Sequence, residues 1–347
     1  MDYTPKVESV LRRFCDEKIK EASRIDERYA SLWQEIKQYL MNGGKRMRPR
    51  LVLLAYEAYE GKEAEKIIPI AAAWELLHAC LLVHDDIIDR DLVRHNHPNL
   101  AGRYQSIYST VTSADTTHYA LSAALLGGDL LLMSAYELIN SAPISSDDKL
   151  LVHSYINKAL FSVAGGELID TDSVLYPIEQ SNPRSVAEYK TASYSLQLPL
   201  QCGAAMAGAS QSELEKLGAI GLHAGIAFQI QDDLLGIFGD SNTTGKSNRS
   251  DIIQKKRTFL IQEALQNLDS EKTQALIDLF APDHALSSQD IERIFELLLN
   301  SGIKEKTEHM IAIESRKAIE VINGLSINLS YKKAFEELVT KLTTRTS

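Results

Sequence analysis

Residues 64–89, AEKIIPIAAAWELLHACLLVHDDIID, are a long apolar run of helix-forming residues that ends in three aspartates. Asp85 and Asp89 are one helical turn apart, so their side chains project from the same face. At about 5 Å and an effective dielectric constant of about 20, two ionised carboxylates repel each other by roughly 3 kcal/mol. Because bound cations remove this repulsion, the cluster predicts a divalent ion, and Mg²⁺ with substrate phosphates in its shell suits such oxygens. Asp86 points partly off this line and is assigned to the same site, where it orients ligands or water.

A second apolar run carries a smaller acidic cluster, Asp232-Asp233, within FQIQDDLLGIFGD at residues 228–240. Only two acids lie on its first helical turn, so it needs to bind only one ion. The predicted metal ligands are therefore Asp85, Asp86, Asp89, Asp232 and Asp233.

The composition indicates a soluble globular protein with a large core. Of its 347 residues, 44% are hydrophobic, and the formal net charge is −10, which argues against general nucleic-acid or anionic-membrane binding. Three widely spaced cysteines indicate a reducing cytosol, and the N-terminus shows no secretory pattern. The most membrane-like segment, Tyr119–Ile139, has Asp129 near its centre, which favours a buried core helix over a transmembrane one. The sequence therefore predicts a cytoplasmic protein.

Apolar residues recur at helical spacing along most of the chain, and period-two alternation is almost absent, which predicts an all-α fold. No linker separates the runs, so a single domain is expected over residues 1–347. Helices are predicted at about residues 4–40, 45–60, 64–90, 116–140, 146–172, 185–208, 212–236, 251–268, 270–280, 288–301, 303–323 and 329–343. Loops are predicted at 95–112, 141–145, 173–184, 240–250 and 281–287. Ser185-x-x-Glu188 and Ser212-x-x-Glu215 are interpreted as capping boxes, and Pro49 as part of a first helical turn.

Four further features carry residues suited to phosphate. Gly43-Gly44-Lys45-Arg46-Met47-Arg48-Pro49 places three cations beside a glycine turn, although a solvated basic turn is an equally good reading of this segment alone. His78 lies two turns before Asp85 on the same helix, where a structural histidine is the commoner case. The run Lys255-Lys256-Arg257 and the pair Lys190-Thr191 are weak signals in isolation, since solvated helix faces often look the same.

Together these features resemble the trans-isoprenyl diphosphate synthases, also called polyprenyl synthetases, over nearly the whole chain. The resemblance rests on order and spacing as well as content. Its parts are the basic segment at 43–49, His78 seven residues before Asp85-Asp86-x-x-Asp89, Gly128-Asp129, Lys190-Thr191, Phe228-Gln229-x-x-Asp232-Asp233, and Gly245-Lys246 followed by Asp251 and Lys256.

Two departures from the family pattern stand out. His95 replaces one arginine of the usual Arg-Arg-Gly-x-Pro that follows the first motif, so the charge there becomes pH-dependent. Gly236 replaces a third aspartate of the second motif, as in one branch of the family, with Asp240 as a distant helper. Gln254 and Lys255 also differ from the usual Glu-Gly.

The resemblance implies an antiparallel helical bundle around a deep central cavity, in which Mg²⁺ bridges the acids to an allylic diphosphate. It implies catalytic roles for Asp85, Asp89, Lys190 and Asp232, with isopentenyl diphosphate as the second substrate and a homodimer as the assembly. The substrate-binding residues that it implies are Lys45, Arg48, His78, Arg94, His95, Lys190, Thr191, Gln229, Lys246 and Lys256.

The growing product is expected to descend along the helix that precedes Asp85, where each turn advances about 5.4 Å. Cys80 is small where short-product relatives often carry an aromatic residue, and Trp74 is a candidate floor deeper in the cavity. Cys80, Leu81, Leu77 and Trp74 are therefore the predicted chain-length residues, and the predicted product is geranylgeranyl diphosphate or a somewhat longer one.

Two alternatives stay open at this stage. A class I terpene cyclase also ionises an allylic diphosphate with Mg²⁺, but it needs no second diphosphate site, so Lys45, Arg48 and His78 argue against it. A noncatalytic regulatory subunit of a prenyl synthase would retain the fold, and the altered second motif is compatible with that role.

Overall fold

The computed structural model describes residues 2–94, 97–239 and 248–344, and 79% of the chain is helical. The first part contains α1 (Thr4–Ser23), α2 (Glu27–Met41), α3 (Met47–Ala58), α4 (Ala64–Ile88), α5 (Leu100–Ser109), α6 (Thr117–Ser141) and α7 (Ser146–Asp172). Two 3₁₀ turns, Ser173–Leu175 and Ile178–Gln180, lead to α8 (Pro183–Val186), a π-helix (Ala187–Gln197) and α9 (Leu198–Met206). The remainder contains α10 (Gln211–Phe238), α11 (Ser250–Ile253), α12 (Phe259–Asn267), α13 (Ser270–Leu279), α14 (Ser288–Leu299), α15 (Ile303–Asn323) and α16 (Leu329–Thr343).

Within the described ranges, the strand content is one short antiparallel ribbon. Its strands are β1 (Val93–Arg94) and β2 (His97–Pro98), and Arg94 pairs with His97. The all-α prediction is confirmed.

Several predicted boundaries are wrong because short polar residues cap helices at other positions. The predicted helix at 4–40 is two helices, since the Asp26 side chain accepts a hydrogen bond from the Arg28 N–H and starts α2. The predicted loop at 95–112 contains α5, which begins after Asn99, whose side chain accepts from the Gly102 N–H at 2.9 Å. The predicted helix at 251–268 is interrupted, because Lys255 has a left-handed φ of 52°.

Both proposed capping boxes are also wrong. The cap of α8 is Asn182, which accepts from the Ser185 N–H, and the cap of α10 is Ser210, which accepts from the Glu213 N–H. In each case the true cap lies two or three residues before the predicted one. Pro49 does lie in the first turn of α3.

Packing divides the chain into two compact units, and the single-domain interpretation stays a prediction. Unit one comprises Met1–Ile156 and Cys202–Gly208, and its core contains Trp33, Ile70 and Trp74, all at most 2% exposed. Here α4 packs against α6, α3 and α1. Because it is surrounded in this way, α4 has buried residues on most of its circumference.

Unit two comprises Asn157–Gln201 and Ala209–Ser347. Its central helix is α10, which packs against α15 and the π-helix. Ile226, Ile230 and Phe280 are fully buried in its core. The second acidic cluster, Asp232-Asp233 on α10, lies in this unit.

By length and composition, α4 and α6 are apolar enough to cross a membrane, and their most apolar windows are 72% and 50% buried. The two helices pack against each other. Such packing is ordinary for core helices of a globular protein.

Candidate active site

The first acidic motif lies at the C-terminal end of α4. Asp85 is on its last turn, and Asp89 is the C-cap residue, whose N–H donates to the Asp85 carbonyl at 2.8 Å. Both side chains are partly exposed, whereas Asp86 is 2% exposed. The predicted shared face of Asp85 and Asp89 follows from this helical geometry.

Arg94 compensates part of this negative charge. Its Nη2 lies 2.7 Å from Asp85 Oδ2, and its Nε donates to Asp86 Oδ1 at 2.7 Å. Burial raises the pKa of Asp86 to about 6, although the neighbouring Arg94 opposes the shift. The acidic pattern predicts charge compensation by metal alone, whereas in the structure an arginine from β1 shares it.

The two aspartates of the second acidic motif lie in different environments. Asp232 is exposed, while Asp233 is buried, with its Oδ1 accepting from Gln229 Nε2 at 2.8 Å and its Oδ2 from the Phe259 N–H at 3.0 Å. Gln229 Oε1 in turn accepts from Thr191 Oγ1 at 2.7 Å. Burial raises the pKa of Asp233 to about 8. This network makes Asp233 a support for the end of α10, and its role as a metal ligand stays a prediction.

The donor set suits Mg²⁺. The accessible members of both motifs are carboxylates, the hard oxygen ligands that Mg²⁺ prefers, and they carry no thiol or imidazole that would favour a softer metal. The metal-binding roles of Asp85, Asp89 and Asp232 stay predictions.

Gly236, one turn after Asp232, lies against the side chain of Asp251. A Cβ atom at this position would lie 2.3 Å from Asp251 Oδ2. The Asp251 carboxylate therefore occupies the space into which a third aspartate of the motif would project.

The basic segment at 43–49 leads into α3. Lys45 is exposed, and Arg48 is 7% exposed. Arg46 is buried in an ion pair with Glu75 of α4, with 2.8 Å between Nη1 and Oε1. The sequence grouped the three cations together, but the structure gives Arg46 a separate role.

Lys190 and Thr191 lie in the π-helix, a rare element that often marks a functional position. Lys190 Nζ is 2.6 Å from Asp170 Oδ2 and 3.0 Å from Glu167 Oε2. A Cβ at Gly166 would lie 2.3 Å from the Lys190 backbone nitrogen, so this glycine permits close packing of α7 on the π-helix. The two acids are not among the residues predicted from the sequence, although their i, i+3 spacing in GELID at 166–170 is a usable signal.

The remaining predicted residues are distributed as follows. Lys256 is partly buried just after α11, and its N–H donates to the Asp251 carbonyl at 2.9 Å. His78 is partly buried on α4. His95, Lys246 and the helper Asp240 lie outside the described residues.

The predicted chain-length residues on α4 differ in exposure. Trp74, Leu77 and Cys80 are at most 1% exposed, whereas Leu81 is partly exposed. Cys80 is about 140° around the helix from Asp85. Its Sγ is 3.8 Å from His84 Nδ1, and a Cβ at Gly128 would lie 2.3 Å from His84 Nε2, so this face packs on α6.

Comparison with known proteins decides the family. The sequence model of the family described as Polyprenyl synthetase matches residues 30–298. The chain belongs to the polyprenyl synthetase family. It is 30% identical over 289 residues to the geranylfarnesyl diphosphate synthase of Aeropyrum pernix, covering 81% of this chain and 83% of that protein. It is 31% identical over 287 residues to the short chain isoprenyl diphosphate synthase of Methanocaldococcus jannaschii, covering 82% and 80%.

A solved structure gives the same result for the fold. The geranylgeranyl pyrophosphate synthase from Corynebacterium glutamicum, complexed with isoprenyl diphosphate and magnesium, has a TM-score of 0.89 and 29% identity, with 99% of each chain covered. The resemblance drawn from the sequence motifs is confirmed. As a member of this polyprenyl synthetase family, the protein is a trans-prenyltransferase.

Proposed function

We propose that this polyprenyl synthetase condenses isopentenyl diphosphate with an allylic diphosphate in a Mg²⁺-dependent reaction and releases geranylgeranyl diphosphate or a somewhat longer product. The observation that carries the proposal is the arrangement at the end of α4. Asp85 and Asp89 lie one turn apart, beside an arginine that contacts Asp85 at 2.7 Å. Carboxylates that suit Mg²⁺ and an arginine that suits phosphate lie together at one helix end. Such a combination suits a diphosphate leaving group.

The allylic diphosphate is the substrate of this acidic region. Asp85, Asp89 and Asp232 hold Mg²⁺, and Arg94 and Lys190 contact phosphate oxygens. Mg²⁺, when bound, neutralises the charge that develops on the departing diphosphate. Asp86 and Asp233 belong to the proposed metal set as supports, because both are buried and hydrogen-bonded within the protein.

Several residues with weaker individual support complete the proposed allylic subsite. Thr191 of the π-helix and Gln229 of α10 are hydrogen-bonded to each other, which orients both side chains. The family motif assigns Lys246 and Lys256 to phosphate binding, and His95 replaces an arginine of that motif. Each of these roles follows from the family motif and is part of the proposal.

Isopentenyl diphosphate binds at the basic segment, with Lys45, Arg48 and His78 as its ligands. Its alkene attacks the allylic carbon as the carbon–oxygen bond breaks, and a proton is then lost from the new chain. Holding the two substrates together supplies an entropic advantage, and the apolar walls of the proposed central cavity keep water from the cation.

We also propose that the product chain extends along α4, with Cys80, Leu81, Leu77 and Trp74 setting its length. The family relatives support a product of this size, since they include a geranylfarnesyl diphosphate synthase. Trp74 is completely buried, which suits a floor that the product cannot pass.

A cytoplasmic homodimer is the proposed state of the enzyme. All three cysteines lie in described parts of the chain and are buried outside any disulfide, and proteins of a reducing compartment rarely contain disulfides. Tyr119, Leu126 and Met133 recur every seven residues on α6 and are 63%, 57% and 50% exposed. Such an apolar face on a globular protein supports burial against a second copy.

Product identification from the purified chain tests this function. With Mg²⁺, isopentenyl diphosphate and geranyl, farnesyl or geranylgeranyl diphosphate as starter, we expect elongation, and we expect its loss in Asp85→Ala or with a chelator. A terpene cyclase would convert the allylic substrate without isopentenyl diphosphate. A regulatory subunit would show no activity alone, which would contradict the proposal.

A further inference from the structure

The turn that precedes α3 has an unusual backbone. Gly43, Gly44 and Arg46 have φ angles of 107°, 134° and 44°, all in the region that L-amino acids rarely adopt. Glycine adopts such angles without steric cost, but arginine does not. The conformation of Arg46 must therefore be maintained by contacts of its side chain.

Arg46 makes these contacts through a buried guanidinium. The residue is 4% exposed, and its Nη1 donates to Glu75 Oε1 at 2.8 Å while its Nη2 donates to the Leu40 carbonyl at 2.5 Å. A longer contact of 3.4 Å joins Nε to Glu8 Oε1. The side chain thereby connects the turn to α1, to the end of α2 and to the middle of α4.

The ion pair with Glu75 determines the position along the α4 axis at which the turn at residues 43–46 is attached. It is 5% exposed and lies three residues before His78. Because an α-helix rises 1.5 Å per residue, the two residues differ by about 4.5 Å along the axis. Lys45 directly precedes Arg46 and Arg48 follows it by two residues, so the ion pair sets where these cations lie relative to His78.

The ion pair is unsuited to binding phosphate directly. The Arg46 donors are directed at Glu75, Leu40 and Glu8, and the charges of Arg46 and Glu75 balance each other. A buried ion pair contributes little net stability, because desolvation offsets the attraction, so its value lies in the geometry that it specifies.

We propose that Arg46 and Glu75 are positioning residues that hold Lys45, Arg48 and His78 together as one subsite for isopentenyl diphosphate. The inference rests on the proposed function and adds two residues that do not touch the substrate. Its specific consequence is that loss of the pair weakens binding of isopentenyl diphosphate and leaves the allylic substrate almost unaffected.

The test compares three variants by steady-state kinetics with both substrates and by thermal unfolding. Glu75→Gln retains size and an acceptor oxygen but removes the charge. Arg46→Gly permits the left-handed φ but leaves Glu75 buried and unpaired, which threatens folding. The double variant Arg46→Gly/Glu75→Gln removes both charges, so it is expected to fold even where the single arginine variant does not.

For the double variant we expect the KM for isopentenyl diphosphate to rise at least tenfold, with the KM for the allylic substrate changed less than twofold. Glu314→Gln is the matched control, because Glu314 is also a buried carboxylate with cationic partners, but it belongs to the other unit. This control should lose thermal stability without altering either KM.

Two results would overturn the inference, and they are distinguishable. If the wild type elongates the allylic substrate and the folded double variant has an unchanged KM for isopentenyl diphosphate, the positioning role is rejected alone. If the wild type neither binds nor consumes isopentenyl diphosphate, the proposed function and the positioning role are rejected together.

Discussion

Gly236 and Asp251 illustrate how one residue compensates for another. The family pattern has an aspartate at position 236 in one branch and glycine in another, and this chain has glycine. The Asp251 carboxylate reaches the space beside Gly236, one turn after Asp232 on α10. The glycine leaves this space to the Asp251 side chain, and negative charge beside this face of α10 is supplied from α11.

Restoring the aspartate at this position is therefore expected to impair the enzyme. Gly236→Asp would place a Cβ 2.3 Å from Asp251 Oδ2 and add a like charge. We expect a loss of about 1–3 kcal/mol in the free energy of unfolding and a higher KM for the allylic diphosphate. Urea unfolding and steady-state kinetics measure both quantities.

Gly236→Asp/Asp251→Ala provides the control, because it removes the clash and retains one carboxylate. Its stability should return most of the way to that of the wild type. Equal or better activity of the single variant would contradict the steric account.

At the scale of elements, the two faces of α4 that carry Asp85 and Cys80 have different surroundings. Asp85 and Asp89 are partly exposed at its end, whereas Cys80 faces α6 and is 1% exposed. Burial raises the pKa of the Cys80 thiol to about 12, so this cysteine is an apolar space-filler and not a nucleophile.

Enlarging Cys80 should shorten the product. In Cys80→Phe the ring must enter the space between α4 and α6, and we expect products shorter by at least one isoprene unit if the chain extends along this face. Product analysis by mass spectrometry measures the change. Cys15→Phe overfills another fully buried cysteine site on α1, and it should reduce stability without changing product length.

A second element-level feature joins α8, α10 and α15. Glu314 accepts from His223 Nδ1 at 2.6 Å, from Lys317 Nζ at 3.0 Å and from Arg184 Nη1 at 3.3 Å. Burial alone would raise the pKa of Glu314, but these three hydrogen bonds outweigh it and lower the pKa to about 2.

The pH dependence of stability follows from this shift. The pKa of Glu314 is about 2 when folded and 4.5 in the reference state, so its contribution is fully present above pH 4.5 and is lost as the pH falls toward 2. Glu314→Gln should cost about 1–3 kcal/mol at pH 7 and progressively less below pH 4.5. Denaturant unfolding at pH 7, 4 and 3 measures the difference.

Glu292→Gln is a suitable comparison, because its ion pair with Arg249 is on the surface and Glu292 is 55% exposed. It should change stability by less than about 1 kcal/mol. A pH-independent difference between Glu314→Gln and the wild type would argue against the assigned pKa.

At the scale of the whole molecule, the apolar face of α6 predicts the assembly. Leu126→Glu places a charge at the centre of the face formed by Tyr119, Leu126 and Met133, so we expect a monomer where the wild type is a dimer. Light scattering after size-exclusion chromatography measures the mass. Leu329→Glu alters a similarly exposed leucine on α16, 65% exposed, and should leave the mass unchanged. A monomeric wild type would refute the dimer directly.

Periodicity and spacing in the sequence determined the helical class, the family and the two acidic motifs. These signals are local, because one helical turn relates Asp85 to Asp89 whatever surrounds them. Helix ends were less predictable, since Asp26, Asn99 and Asn182 compete with other polar residues as caps. The sequence also identified Lys190 and the basic segment, because their motifs are contiguous.

The tertiary structure alone decided which charges compensate one another. Arg94 with Asp86, Arg46 with Glu75, and Lys190 with Asp170 join residues that are 8, 29 and 20 positions apart. The packing of α10 against the segment that carries Asp251 likewise explains Gly236. Such pairings depend on how elements pack and on what burial does to each charge, and a one-dimensional pattern contains neither quantity.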